Sequence, residues 1–107
     1  MIARIWSGVA RPDTIDAYLS HLREKTFPGL DALPGHLGAF VLRRDTADRI
    51  HVTVITLWAS REVIARFSGD DVEAAVVPPE AQALLTSWDA RAVHWDVVDK
   101  PTLFAHK

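Results

Sequence analysis

Apolar residues along this chain fall into alternating and helically spaced runs, separated by short polar or Pro/Gly breaks. The densest alternating run, Ile50 to Leu57, is rich in β-branched residues and predicts a strand. Along it Val52, Val54, Thr56 and Trp58 share one face, while His51, Thr53, Ile55 and Leu57 share the other. Both faces are largely apolar, so a central strand covered on both sides is expected. Ser60 then offers an N-cap, and Val63, Ile64 and Phe67 follow at helical spacing.

The same pattern orders the rest of the chain. Ile2 to Val9 predicts a first strand, with Ala3, Ile5, Ser7 and Val9 on one face and Ile2, Arg4 and Trp6 on the other. Asp13 is expected to cap a helix whose stripe is Ile15, Tyr18, Leu19 and Leu22. Phe27 precedes Pro28, which disfavours further helix, so the element should end near there. Pro28-Gly29 and Pro34-Gly35 are turn signals. His36 to Arg44 predicts a second strand, joined to the third by a hairpin-length connection, Asp45 to Asp48. Gly69 suits the end of the second helix, and Asp70-Asp71 offers a new helical start for Val72, Ala75 and Val76. Pro79-Glu80 opens one more short helix, through Leu84 and Leu85 to Trp88. Ala90 to Val98 alternates as a half-buried fourth strand, and residues 102–107 form a tail.

Strand, helix, strand, strand, helix, strand, with right-handed crossovers, gives one α+β domain over residues 1–107. Its predicted arrangement is ferredoxin-like βαββαβ, a four-stranded antiparallel sheet with both helices on one face. The other face would carry Ile2, Trp6, Ile55 and Leu57, more apolar surface than water tolerates, so a second copy of the chain is the expected cover. Composition narrows the partners. A formal net charge of −2 argues against general affinity for nucleic acid or anionic membrane. With no cysteine, disulfide and thiolate chemistry is excluded. The start, MIARIWSGV, is too short an apolar run for a signal peptide or a spanning helix, which makes the cytoplasm the expected location.

Three segments carry a family likeness: LPGHLGAFVLRR at 33–44, TLWASREVIARFSGDD at 56–71 and AVHWDVV at 92–98. With the first strand, they make the sequence similar to the antibiotic biosynthesis monooxygenase family of dimeric α+β barrels. The resemblance implies a homodimer and, in many members, oxidation of an electron-rich aromatic without a cofactor. Trp58 matches the strand-end Trp that lines the pocket of polyketide-oxidising members. Those members also use an Asn four residues before that Trp and a Tyr six residues after it; here Val54 and Ile64 stand there. In haem-degrading members a helical Trp, a first-strand Asn and an axial His fall at Phe67, at Ser7 and near Val76-Val77. No proximal haem ligand remains, and no cofactor is expected.

Candidate chemistry rests on few residues. The histidines form no HxH, HxxE or HExxH spacing, so no metal site is read from them. His94, mid-strand among apolar positions, is the candidate general base; the alternative is a packed His satisfied by Asp96 or Arg4. His21, His36 and His106 read as solvated surface residues. Trp58 is either core or pocket wall, and if it faces the helices, Ser7 and Tyr18 are the polar candidates for the same substrate-binding cavity. Two functions stay open: a small cofactor-independent monooxygenase acting on a phenol- or quinol-like aromatic, or a non-oxygenase barrel. The second would bind a small apolar ligand or catalyse proton transfer or cyclisation.

Overall fold

A computed structural model of the protein describes residues 1–100; the expected tail at 102–107, with His106, lies outside them. Strand β1 (Ile2–Ala10) leads into a helical run made of α1 (Ile15–His21), a π-wound turn (Leu22–Thr26) and α2 (Phe27–Asp31). Strands β2 (His36–Thr46) and β3 (Arg49–Trp58) form a hairpin closed by Ala47-Asp48, where Ala47 takes a positive φ of 39°. Helix α3 (Arg61–Ser68) follows, then an irregular segment, the short α4 (Pro79–Gln82), β4 (Leu85–Trp88) and β5 (Val93–Asp96). The sheet is antiparallel in the order β2-β3-β1-β4, with β5 also paired to β1. This is the expected ferredoxin-like α+β arrangement, with β3 central.

Pairing fixes which residues share a face. Ile2 lies opposite Trp58, Arg4 opposite Thr56 and Trp6 opposite Val54, so these six look toward the helices. Ile2 and Trp6 therefore leave the bare face expected of them. That face belongs instead to Ala3, Ile5, Ser7 and Val9, opposite Leu57, Ile55, Thr53 and His51. Alternation along one strand separates its two faces but does not say which one turns inward; the β1–β3 register does. The outer face also carries Leu42, Val93 and Trp95, which are 51%, 54% and 61% exposed. Between sheet and helices, Val52, Trp58 and Ile64 are fully buried, each such side chain stabilising the fold by about 1.5–3 kcal/mol.

Other expectations change as well. Thr14, not Asp13, stands before α1, its hydroxyl donating to the Leu84 carbonyl at 2.9 Å. The helical run continues past Pro28 because the wide turn comes first: the Phe27 N–H reaches back to the Leu22 carbonyl, and Pro28 falls in the first turn of α2, where its missing N–H is tolerated. Residues 70–76 do not form a helix. The Arg4 guanidinium donates to the Val72 and Ala74 carbonyls, Asp71 accepts the Glu73 N–H, and Ala74 bridges to Arg91, which holds the segment open. Finally, Leu85 to Trp88 is strand rather than helix, because it completes the edge of β1, with Leu85 opposite Ala10 and Trp88 opposite Gly8. The expected fourth strand is correspondingly short. It resumes at Val93 after an excursion whose backbone hydrogen-bonds the 70–76 segment, Ala75 N–H to Ala90 O at 3.0 Å and Ala92 N–H to Glu73 O at 2.7 Å.

Candidate active-site cavity

One cavity of about 70 Å³ opens between the sheet and the helices. Its floor is Arg4, Trp6, Val54 and Thr56 from the inner sheet face. The helical run contributes Tyr18, His21, Leu22, Thr26 and Leu30, α3 contributes Phe67, and Val76, Val77, Pro78 and Ala81 close the remaining side. Tyr18, His21 and Leu22 reach it because they are three and four residues apart on α1 and its continuation. The π-wound turn sits directly after His21, and such widened turns recur at functional sites.

The polar groups in this apolar shell are few and differently tuned. Tyr18 is buried and its phenol is pushed up to about 12 by loss of solvent, so it is a neutral hydrogen-bond donor at neutral pH. His21 Nε2 is buried with no hydrogen-bond partner among the described residues. Thr56 accepts the Trp58 indole N–H at 2.7 Å, which turns its hydroxyl and leaves the hydroxyl proton to donate. Trp6 is fixed by its indole N–H on the Asp89 carbonyl at 2.8 Å. Arg4 is only 5% exposed and lies over the Phe67 ring at 5.6 Å.

The residues singled out in the sequence are therefore not gathered at one point. Tyr18 is on the cavity wall. Trp58 lies one layer behind it, stacked on the cavity-lining Phe67 at 5.7 Å, edge-on to His36 at 4.9 Å, and bonded through its indole N–H to the cavity-lining Thr56. Ser7 is on the opposite face of the sheet, where its hydroxyl meets that of Thr53 at 2.8 Å. His94 stands beside Arg4 in the sheet register and behind it relative to the cavity; the Arg4 guanidinium occupies its Nε2 at 2.9 Å. Burial first, then Arg4 and Arg61, lower the His94 pKa, against a smaller pull from Glu73. Its Nε2 accepts from Arg4, the geometry of the packed alternative. His36 is not solvated: its ring is buried against Trp58 and its Nδ1 lies 3.1 Å from Asp31.

Two residues escaped sequence reading, His21 and Arg4. The signal for His21 is its place three residues after Tyr18, on the edge of the same apolar stripe. For Arg4 it is a charge in phase with Ile2 and Trp6, which becomes informative once that face is known to turn inward.

No helix among the described residues is long and apolar enough to cross a membrane. Comparison with solved structures gives the same fold repeatedly. A crystal structure of an antibiotic biosynthesis monooxygenase matches with a TM-score of 0.66 at 23% identity, covering 92% of this chain and 100% of that one. A putative antibiotic biosynthesis monooxygenase from Bacillus cereus matches with a TM-score of 0.64 at 12% identity, over 94% and 95% of the two chains. The haem degrader MhuD from Mycobacterium tuberculosis, with two haems bound in its active site, matches with a TM-score of 0.58 at 17% identity, over 94% and 99%. At these identities the likeness is one of fold. No curated protein sequence matches the chain significantly. The family model for antibiotic biosynthesis monooxygenase, however, matches residues 1–78, from β1 through the Val76-Val77-Pro78 wall of the cavity. The chain belongs to the antibiotic biosynthesis monooxygenase family.

Proposed function

We propose that the protein is a small cofactor-independent monooxygenase, a cytoplasmic homodimer that oxidises an electron-rich aromatic of the phenol or quinol type in this cavity. The observation that carries the reading is that Tyr18, His21 and Thr56 line one cavity with Trp6, Phe67 and aliphatic side chains, His21 Nε2 being buried without a hydrogen-bond partner among the described residues. In the proposed reaction His21 takes the substrate's phenolic proton, while Tyr18 and Thr56 donate hydrogen bonds that orient it. The electron-rich anion reduces dioxygen directly. One phenol and one dioxygen give one quinone and one water, so the substrate supplies all the electrons. His21 replaces His94 as the candidate base because the His94 lone pair is engaged by Arg4.

Size limits the substrate. A dry cavity of about 150 Å³ takes benzene. At about 70 Å³ this one fits a single ring only if the Val76-Val77 wall yields, and a haem is far outside its reach. The position of the haem degraders' axial His is also occupied here by Val76-Val77, so no step is assigned to that group.

The test is oxygen uptake with single-ring hydroquinones and methoxyphenols. Uptake matching quinone formation is expected, with His21→Gln lowering turnover by about 10²–10⁴-fold and leaving binding largely intact. No uptake with any of them would leave the second reading, a barrel that binds a small apolar ligand or moves a proton without oxygen. Val54 and Ile64, standing where the polyketide-oxidising members place Asn and Tyr, favour that alternative.

A further inference from the structure

We propose that the cavity holds its aromatic ligand as an anion, a phenolate or an arenecarboxylate, with the Arg4 guanidinium as counter-ion. The inference rests on the cavity being the substrate site and adds the charge of what it holds. Arg4 projects from the inner sheet face, is 5% exposed, and forms part of the cavity wall. A guanidinium stays charged wherever it is placed, and burying it is costly unless an anion compensates. Among the described residues no anionic group pairs with Arg4. Its hydrogen-bond partners are the Val72 and Ala74 carbonyls and His94 Nε2, all neutral, and beneath it lies the face of Phe67.

The carboxylates that flank Val72 are already engaged. Asp71 and Glu73 both pair with Arg91 at the surface, at 2.9 and 3.2 Å. Burial lowers the Arg4 pKa with no neighbouring carboxylate opposing it. The three contacts use three of five N–H donors. Nε–H and one Nη2 hydrogen are left without a partner among the described residues, enough for a two-point contact with one anionic group. Trp6 and Phe67 line the same cavity as that charge, so the complementary ligand is a single aromatic ring carrying an anionic oxygen.

The experiment titrates the protein with benzoate and with its neutral isostere benzamide, read by tryptophan fluorescence, and follows the ionisation of bound 4-nitrophenol by its phenolate absorbance. Benzoate should bind about tenfold or more tightly than benzamide, or bound 4-nitrophenol should ionise at a pH lower by about one unit, the equivalent tenfold bias. The first result alone identifies a carboxylate ligand and the second alone a phenolate. Arg4→Met should bring benzoate and benzamide within about twofold of each other, and Arg4→Lys should weaken the bias while keeping its sign. Because Arg4 also holds the 72–74 backbone, the wild-type comparison decides even where Arg4→Met does not fold. Equal binding of benzoate and benzamide together with an unshifted or raised 4-nitrophenol ionisation overturns the proposal, as does a bias that survives in folded Arg4→Met. Oxygen uptake is scored separately. Anion bias without uptake removes the monooxygenase reading alone, and uptake without bias removes this inference alone.

Discussion

At the scale of single residues, the cavity's character comes from which polar atoms lack a conventional partner. Arg4 and His94 form the clearest pair: a permanent cation donating to an imidazole that must stay neutral to accept. Burial first, and then the repulsion that protonation would set up against Arg4, hold the folded His94 pKa below the ordinary value of 6.5. The unfolded chain then binds the proton more readily than the folded one. Stability from this pair is full above pH 6.5 and declines as the pH falls from there through the lower folded value. Asp71 and Asp45, held low by hydrogen bonds from Arg91 and Arg43, act in a separate window, beginning only below 3.8. Urea midpoints measured across the mildly acidic range should fall in the wild type and stay flatter in His94→Gln, which can still accept from Arg4. Equal slopes would place the loss elsewhere. Sequence reading weighed Arg4 as a possible partner of His94, but could not tell that the pair sits behind the cavity. That depends on β1 facing the helices with Ile2, Arg4 and Trp6.

At the scale of elements, what was legible follows from strong local patterns. Period-two runs gave β1, β2 and β3, and Ser60 caps α3 by accepting the Val63 N–H at 3.3 Å. Where local preference competed with a distant partner, the partner prevailed. Asp70-Asp71 suits a helix start, yet Arg4 and Arg91 hold that backbone open. Leu84, Leu85 and Trp88 suit a helix, yet the edge of β1 takes Leu85 and Trp88 as strand. The Pro34-Gly35 turn was legible too, and structure adds why Gly35 is needed. Its φ is +96°, and a Cβ there would lie 2.7 Å from a Val63 methyl carbon at the start of α3. Gly35→Ala should therefore destabilise the protein by about 1–3 kcal/mol, through strain at this backbone angle together with displacement of Val63. A chemical denaturation midpoint within error of wild type would show that the turn rearranges at little cost.

At the scale of the whole molecule, the outer sheet face is the outstanding feature: Ile5, Val9, Ile55 and Leu57 at its centre, with Leu42, Val93 and Trp95 around them. A homodimer closing over it would bury on the order of 2,000 Å² or more in total. Sedimentation equilibrium at micromolar concentration should give twice the 11.9 kDa chain mass, and Trp95→Lys should shift the protein toward monomer. A wild-type monomer would sink the dimer. The four residues of β5 give this a wider consequence. Val93 and Trp95 point outward, while His94, between them, turns in to hold Arg4. Association and ligand capture would then act on opposite sides of one short ribbon, and two equilibria that bias the same element must influence each other equally. An anionic ligand should tighten self-association by the factor by which association tightens the ligand, so its apparent affinity should weaken as the protein is diluted.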